Sequence, residues 1–549
     1  MNERAKERRG SAPPDHPGRG RVPCTRDRLW TIRNRFPMQS PKATVYLIGA
    51  GPGDAGLLTL RGKELLETCE VVVYDYLANE ELLAFARPDA ELIYAGKMGG
   101  DHTLPQQEIN ALLTAKAGEG KRVARLKGGD PYMFGRGAEE AEELLKADIP
   151  FEVVPGVTSA IAGPAYAGIP LTHRSHASSV CFATGHEDPL KPESAHDWKA
   201  LATGASTLVF FMGMKNLPEI VGNLTAHGMD PLTPAALVRW GTTPDHRSIA
   251  GTLTDLPRLA QEGNFTAPCL IIIGSVVRLR ESLAWFEKKP LLGKGVVVTR
   301  SREQASGMAR MFAAEGARVV EFPTIRIEPV ADTALMREAA CRLREYDWAV
   351  FTSPNGVDHF WRTLESLRLD TRAFAGTFVA AIGPATADAL LHKGIIADYV
   401  PQSHVAEALL AGLVAQGVAE KKILIPRAET ARDILPQGLE KAGALVSVVP
   451  AYRTLPARNS EKTTAQVLEL FETGKIRYIS FASSSTVENF LAVVPAEILR
   501  HYPDLRFACI GPITAKTLKD AGLCCHIMPE QYTIPALVEA IIADARSNP

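Results

Sequence analysis

Two stretches in the first half of the chain concentrate the residue types that let a backbone close on a small ligand. The first is Val45-Tyr46-Leu47-Ile48-Gly49-Ala50-Gly51-Pro52-Gly53-Asp54, an apolar strand running into a glycine-rich turn. Glycine permits positive φ and close approach of backbone to ligand. A dinucleotide-binding turn is one reading, with Asp75 at the end of the next strand as its acidic residue. It fits badly. The third glycine of the GxGxxG pattern would fall on Asp54, and Pro52 removes a backbone N–H from the phosphate cradle. The second stretch is Arg125-Leu126-Lys127-Gly128-Gly129-Asp130-Pro131-Tyr132-Met133-Phe134-Gly135-Arg136-Gly137. So much glycine and proline among two arginines and a lysine is more than a plain surface turn needs, and a ligand loop is predicted. Three further loops, Pro155-Gly156-Val157-Thr158-Ser159, Gly168-Ile169-Pro170-Leu171-Thr172-His173-Arg174 and Trp240-Gly241-Thr242-Thr243-Pro244, follow expected strands or link helices, where functional loops gather.

The elements that must position these loops alternate. Short β-branched or apolar runs such as Val71-Val72-Val73, Leu208-Val209-Phe210-Phe211, Leu270-Ile271-Ile272-Ile273 and Val296-Val297-Val298 are separated by amphipathic stretches. That alternation predicts parallel α/β sheets in both halves. Residues 295–549 also repeat internally. Gly295-Val296-Val297-Val298-Thr299-Arg300 corresponds to Lys422-Ile423-Leu424-Ile425-Pro426-Arg427. Phe351-Thr352-Ser353-Pro354 corresponds to Phe481-Ala482-Ser483-Ser484, and Ile382-Gly383-Pro384-Ala385-Thr386-Ala387 to Ile510-Gly511-Pro512-Ile513-Thr514-Ala515. The shifts stay between 127 and 130 residues. A duplicated α/β unit implies two similar lobes with a cleft between them.

A chain of 549 residues is too long for one core, which seldom grows past about 300 residues, so several domains are expected. We expect a tail over 1–40, rich in Arg, Pro and Gly and read as disordered, a first globular region over 41–286, a linker over 287–294 and a second region over 295–549. A net charge of -1 gives no bulk case for nucleic acid. No apolar run reaches the ~20 residues that span a bilayer, and the first forty residues lack a secretory apolar core, so a cytoplasmic protein without a membrane partner is expected. The eight cysteines have irregular spacing without a CxxC pair, so no metal is expected.

With these motifs in this order, residues 44–286 resemble uroporphyrinogen-III C-methyltransferase of the tetrapyrrole methylase family. The strongest matches are 49–62, 123–140, 155–174 and 207–214. The sequence departs from the family at Met98, where relatives usually carry Arg, and at Ala138. The resemblance implies a two-lobed α/β fold, S-adenosylmethionine as methyl donor, and a homodimer through this region. Carried over by motif, the donor site comprises Pro52, Gly128, Gly129, Asp130, Met133, Thr158, Ser159, Met212 and Gly241, and the proton acceptor and donor are Asp75 and Lys97. The implied substrate carries eight carboxylates, which makes Arg125, Lys127, Arg136 and Arg174 candidate partners. Residues 295–549 resemble uroporphyrinogen-III synthase, through 350–357, 381–390, 423–454, 479–490 and 509–522. That implies a two-lobed, internally duplicated parallel α/β fold, with one lobe from 295–328 plus 456–549 and the other from 329–455. Candidate substrate contacts are Thr352, Ser353, Thr386, Ser483, Ser484 and Thr514, though Ser and Thr serve equally often as helix caps. Tyr452 matches a family tyrosine that assists departure of a hydroxyl; a core tyrosine with a satisfied OH is the other reading. Together the two resemblances imply a bifunctional tetrapyrrole enzyme of siroheme or cobalamin biosynthesis. A methyltransferase for a later corrin intermediate, fused to a tetrapyrrole-binding module without turnover, stays open.

Overall fold

The apolar runs become strands. The computed structural model describes residues 43–96, 104–186, 196–300, 302–403, 405–457 and 461–548; the expected 1–40 tail and Lys97 lie outside them. Strands β1 (Val45–Gly49), β2 (Val71–Tyr74), β3 (Glu91–Tyr94), β4 (Val123–Lys127) and β5 (Phe151–Val154) form one parallel sheet in the order β3-β2-β4-β1-β5. Every residue of β1 and β4 is buried, as the centre of a helix-covered parallel sheet requires. Residues 43–51 and 55–158 form this first unit; 52–54 and 159–548 form the second.

In the second unit, β6 (Val180–Thr184), β7 (Thr207–Phe211), β8 (Pro234–Arg239), β9 (Arg247–Thr252) and β10 (Cys269–Ile273) lie in the order β6-β7-β10-β8-β9. The expectation of a parallel sheet fails here. Only the β6–β7 pairing is parallel, while β10 pairs antiparallel with β7 and β8, and β8 with β9. The loop from Trp240 to His246 is too short for the crossover that parallel neighbours need, so β8 and β9 form a hairpin.

The rest of the unit carries the duplication. Strands β11 (Gly295–Val298), β12 (Arg318–Glu321), β18 (Ile476–Phe481) and β19 (Arg506–Cys509) make an all-parallel sheet in the order β12-β11-β18-β19. Their counterparts β17 (Leu445–Pro456), β16 (Lys422–Ala428), β14 (Trp348–Phe351) and β15 (Phe378–Ala381) repeat that order in a second sheet. The likeness extends to single residues. Ser353 and Ser483 cap equivalent helices at φ -165° and -166°, and Gly383 and Gly511 precede equivalent helices at -171° and -170°. One boundary moves. β13 (Ile325–Pro329) pairs antiparallel with β17 in the second sheet, so the chain leaves the first lobe before Ile325 rather than after residue 328.

The segment 287–294, expected as a linker, is packed. Phe286 and Leu291 on either side of its charged start are buried, each contributing roughly 1.5–3 kcal/mol. His246 Nε2 donates to Glu287 Oε1 at 3.1 Å, Arg280 donates to Glu287 Oε2 at 2.7 Å, and Ser248 donates to the same carboxylate. Burial would raise the Glu287 carboxyl, but the bonds from His246, Ser248 and Arg280 outweigh it and hold the carboxyl at about 2. A carboxyl held below its unfolded-chain value adds stability that is complete above that value, about 4.3, and fades as the pH falls toward about 2. Urea unfolding at pH 6 and pH 2.5 is therefore expected to show a smaller stability difference in Glu287→Gln than in the wild type. Equal differences would refute the contact.

Candidate functional site

In the first unit the glycine loops meet at the carboxyl ends of β1, β4 and β5. Gly51 N donates to Gly129 O at 3.1 Å and Gly129 N to Gly51 O at 2.7 Å. A Cβ on Gly49 would lie 2.5 Å from Gly156 N and 2.7 Å from Gly129 O, so these backbones touch and only glycine fits. Gly129 also sits at φ 68°, a left-handed conformation that glycine adopts without strain. Asp130, expected at the donor site, ties the loops together: Oδ2 accepts from Gly156 N at 3.0 Å and Oδ1 from Tyr132 N at 2.8 Å. Thr158 is buried beside them. Tyr76, Leu77, Tyr132 and Phe134 stand exposed on the loops after β2 and β4.

Beneath this rim lies a charge network that corrects the expected roles of two cations. Arg125 and Lys127 are 2 % and 4 % exposed, inside β4 rather than open to a substrate. Arg125 Nε and Lys127 Nζ donate to Glu140 Oε1 at 3.2 and 2.7 Å. Arg125 Nη2 also reaches Asp75 Oδ2 at 3.3 Å, while Asp75 Oδ1 accepts from Leu77 N at 3.2 Å and Gly128 N at 3.4 Å. Two cations thus face two carboxylates, which is the condition for tolerating buried charge. Burial, then the neighbouring Arg125, pulls the Lys127 ammonium below its ordinary value. Asp75 is thus held by Arg125 and two backbone N–H groups while its side chain stays 26% exposed. Arg136 and Arg174 are exposed, with Arg136 paired to Glu139 at 2.7 Å.

Glu140 belongs to no glycine loop, yet its spacing carries a signal. The helix Gly137–Lys146 buries Gly137, Glu140, Ala141 and Leu144, the three-and-four spacing of a core face. A glutamate at such a position must meet a cation.

In the second unit, Met212 follows β7 at φ 53° and is 52 % exposed. Gly241 packs on the helix Ser159–Tyr166: a Cβ there would lie 2.7 Å from Gly163 Cα. Pro52 begins the short segment whose Asp54 N donates to Thr242 Oγ1 at 3.1 Å. Asp54 also accepts from Tyr166 OH at 2.7 Å; burial and that carboxylate push the phenol up.

In the duplicated region the expected hydroxyls divide. Ser353 Oγ accepts from Gly356 N at 3.0 Å and Ser483 Oγ from Thr486 N at 3.3 Å, so both cap helices. Thr352 is half-buried, and Ser484 accepts from Thr517 at 2.9 Å. Thr386 and Thr514 are buried in the first turns of their helices, not at loop tips. The Tyr452 ring is core, 7 % exposed and stacked on His359 with centroids 5.6 Å apart, yet its OH lies 3.0 Å from Ser353 Oγ. Arg300, two residues past β11, and Arg427, near the end of β16, are equivalent under the duplication, and no sequence motif singles them out. Burial lowers the Arg300 guanidinium, and Arg427 is held by Asp433 at 2.5 Å. Among the described residues no group of three or more His, Cys, Asp or Glu is placed to hold a metal, and no helix is long and apolar enough to cross a membrane.

Comparison with known proteins divides the chain between residues 257 and 306. Residues 44–257 match the model of tetrapyrrole (corrin/porphyrin) methylases, and 306–539 that of uroporphyrinogen-III synthase HemD. The chain is 38% identical over 510 residues to the porphyrin biosynthesis protein HemD of Ruminiclostridium josui, covering 92% of this chain and 98% of that one. It is 43% identical over 337 residues to uroporphyrinogen-III C-methyltransferase of Bacillus subtilis, covering 61% and 69%. Among solved structures, the uroporphyrin-III C-methyltransferase of Thermus thermophilus complexed with S-adenyl homocysteine is 40% identical, covers 43% of this chain and 99% of that one, and has a TM-score of 0.37. With a methylase and a synthase matched in turn, and one relative matched along nearly its whole length, the chain belongs to the porphyrin-biosynthesis HemD family, as a tetrapyrrole methylase fused to a uroporphyrinogen-III synthase.

Proposed function

We propose that the chain cyclises hydroxymethylbilane to uroporphyrinogen III, with loss of water and inversion of the last pyrrole ring, and then methylates that product at C2 and C7 to give precorrin-2. The observation that carries this reading is the succession of the two matched regions in one chain. The product of the synthase reaction is the substrate of the methyl transfer.

S-adenosylmethionine supplies an electrophilic methyl group. The donor positions in the first unit are Gly128, Gly129, Asp130, Met133 and Thr158; in the second unit they are Pro52, Ser159, Met212 and Gly241. The glycine contacts at Gly49, Gly129 and Gly156 suit this role, because they leave the loop backbone bare. The protein's task is alignment and exclusion of water. Asp75, oriented by Arg125 and the Gly128 N–H, accepts the proton that the methylated macrocycle loses; Lys97 is the proton donor. Exposed Arg136 and Arg174 pair with substrate carboxylates, and Arg125 and Lys127 support the site from within.

For cyclisation, Tyr452 OH, bonded to Ser353, assists departure of the hydroxyl. Bilane carboxylates are held by hydroxyls and N–H groups of the loops carrying Thr352, Ser353, Ser483 and Ser484. Positioning does most of the work, since the uncatalysed closure gives the uninverted isomer. The reading uses no metal, nucleic acid or membrane partner, and includes a cytoplasmic location and a homodimer through the methylase region.

Turnover of S-adenosylmethionine with uroporphyrinogen III, measured against later methylated precorrins, tests the substrate. Uroporphyrinogen III is expected to be preferred; preference for a later precorrin would transfer the methylase to another step.

A further inference from the structure

We propose that the synthase half holds the methyltransferase's Trp240–His246 loop in its donor-binding shape, through Arg318 and Lys475 acting on Asp245. The proposal rests on the reading that Gly241 contacts the methyl donor. All of these residues lie in the second unit.

The loop is held in a conformation that the chain alone disfavours. Trp240 and Thr242 sit at φ 48° and 74°, left-handed positions that a bulky and a β-branched residue rarely adopt. Such conformations persist where the surroundings over-determine them. Contacts at both ends do so. Gly241 rests on Gly163, and Thr242 accepts from Asp54 N. At the far end His246 bonds to Glu287.

The centre of the loop is fixed from outside the methylase. Asp245 N donates to Thr243 Oγ1 at 3.2 Å, and Thr243 Oγ1 donates back to Trp240 O at 2.9 Å. The Asp245 carboxylate is paired with the Arg318 guanidinium and lies 4.0 Å from Lys475 Nζ. Arg318 is the first residue of β12, and Lys475 immediately precedes β18. Both flank β11 in one parallel sheet, so they present the sheet's amino-terminal edge to the loop. The expected bilane-binding loops leave the carboxyl ends of such strands. The docked edge is thus the one that cyclisation does not use, and Arg318 and Lys475 have no part in that chemistry. They act as positioning residues for the methyl transfer.

The test is steady-state methyl transfer by the full chain, with synthase turnover as the check on folding. In Arg318→Gln/Lys475→Gln the KM for S-adenosylmethionine is expected to rise about two- to fivefold, the scale of partly exposed ion pairs. The kcat and the synthase rate should stay within about twofold. Arg318→Lys should retain most of the wild-type KM, and Asp245→Lys combined with Arg318→Glu should recover part of what either single change loses. An unchanged KM in the double glutamine variant overturns the proposal alone, provided the wild type saturates with the donor. A wild type that fails to saturate overturns the donor reading and the proposal with it. If the charge swap gives no recovery while both singles are impaired, the ion pair is not the cause and the proposal falls.

Discussion

Glu140→Ala is expected to destabilise the protein by about 3–5 kcal/mol, the usual penalty for removing one partner from a buried ionic network. The carboxylate is 0 % exposed and accepts from both Arg125 and Lys127. Its loss leaves two buried cations facing Asp75 alone. Lys127 already sits below its usual value because of burial, so it can shed its proton and soften the penalty without removing it. The surface pair Arg136 with Glu139 gives the contrast: both side chains are more than half exposed, at 57% and 51%, and Glu139→Ala should cost less than about 1 kcal/mol. Urea unfolding of the two variants measures the difference. Equal and small effects would mean that the network does not hold charge as described. Methyl transfer should also fall in Glu140→Ala, because Arg125 orients Asp75.

Gly156→Ala should abolish most methyl transfer while leaving cyclisation intact. The added Cβ would meet the Gly129 carbonyl oxygen and lie 2.7 Å from Gly49 Cα. Both neighbours are backbone and cannot swing aside, so the loops after β1, β4 and β5 must part. A displacement of about 1 Å at such a site can reduce turnover by ~10²-fold. Gly118→Ala is the control, since a Cβ there meets nothing within 4 Å. Full methyl transfer by Gly156→Ala would show that the close glycine contact does not shape the site.

Much of this architecture is legible in the sequence because its signals are local. The glycine loops after β1 and β4 announce themselves by composition, and the constant offset between Ile382-Gly383-Pro384 and Ile510-Gly511-Pro512 exposes the duplication that the sheet orders repeat. Features set by pairing across the fold are less visible. The antiparallel course of β8, β9 and β10 depends on the shortness of one loop rather than on the strands' own apolar runs. Arg125 and Lys127 look like ligand cations until Glu140 is seen between them; the helical spacing of Glu140 with Gly137, Ala141 and Leu144 could have revealed it. Thr386 and Thr514 follow glycine and proline as a loop-tip residue would, but the helix begins at that proline and turns them inward. The charged run after Phe286 reads as a tether because the partners of Glu287 are His246, Ser248 and Arg280, two of them some forty residues away.

The most direct test of a fused synthase and methylase is one incubation of the intact chain with hydroxymethylbilane and S-adenosylmethionine, with the tetrapyrroles separated by isomer and mass. The account predicts a dimethylated type III product, formed with two equivalents of S-adenosylhomocysteine. Type I uroporphyrinogen without type III would contradict the synthase, and type III that stays unmethylated would contradict the methylase.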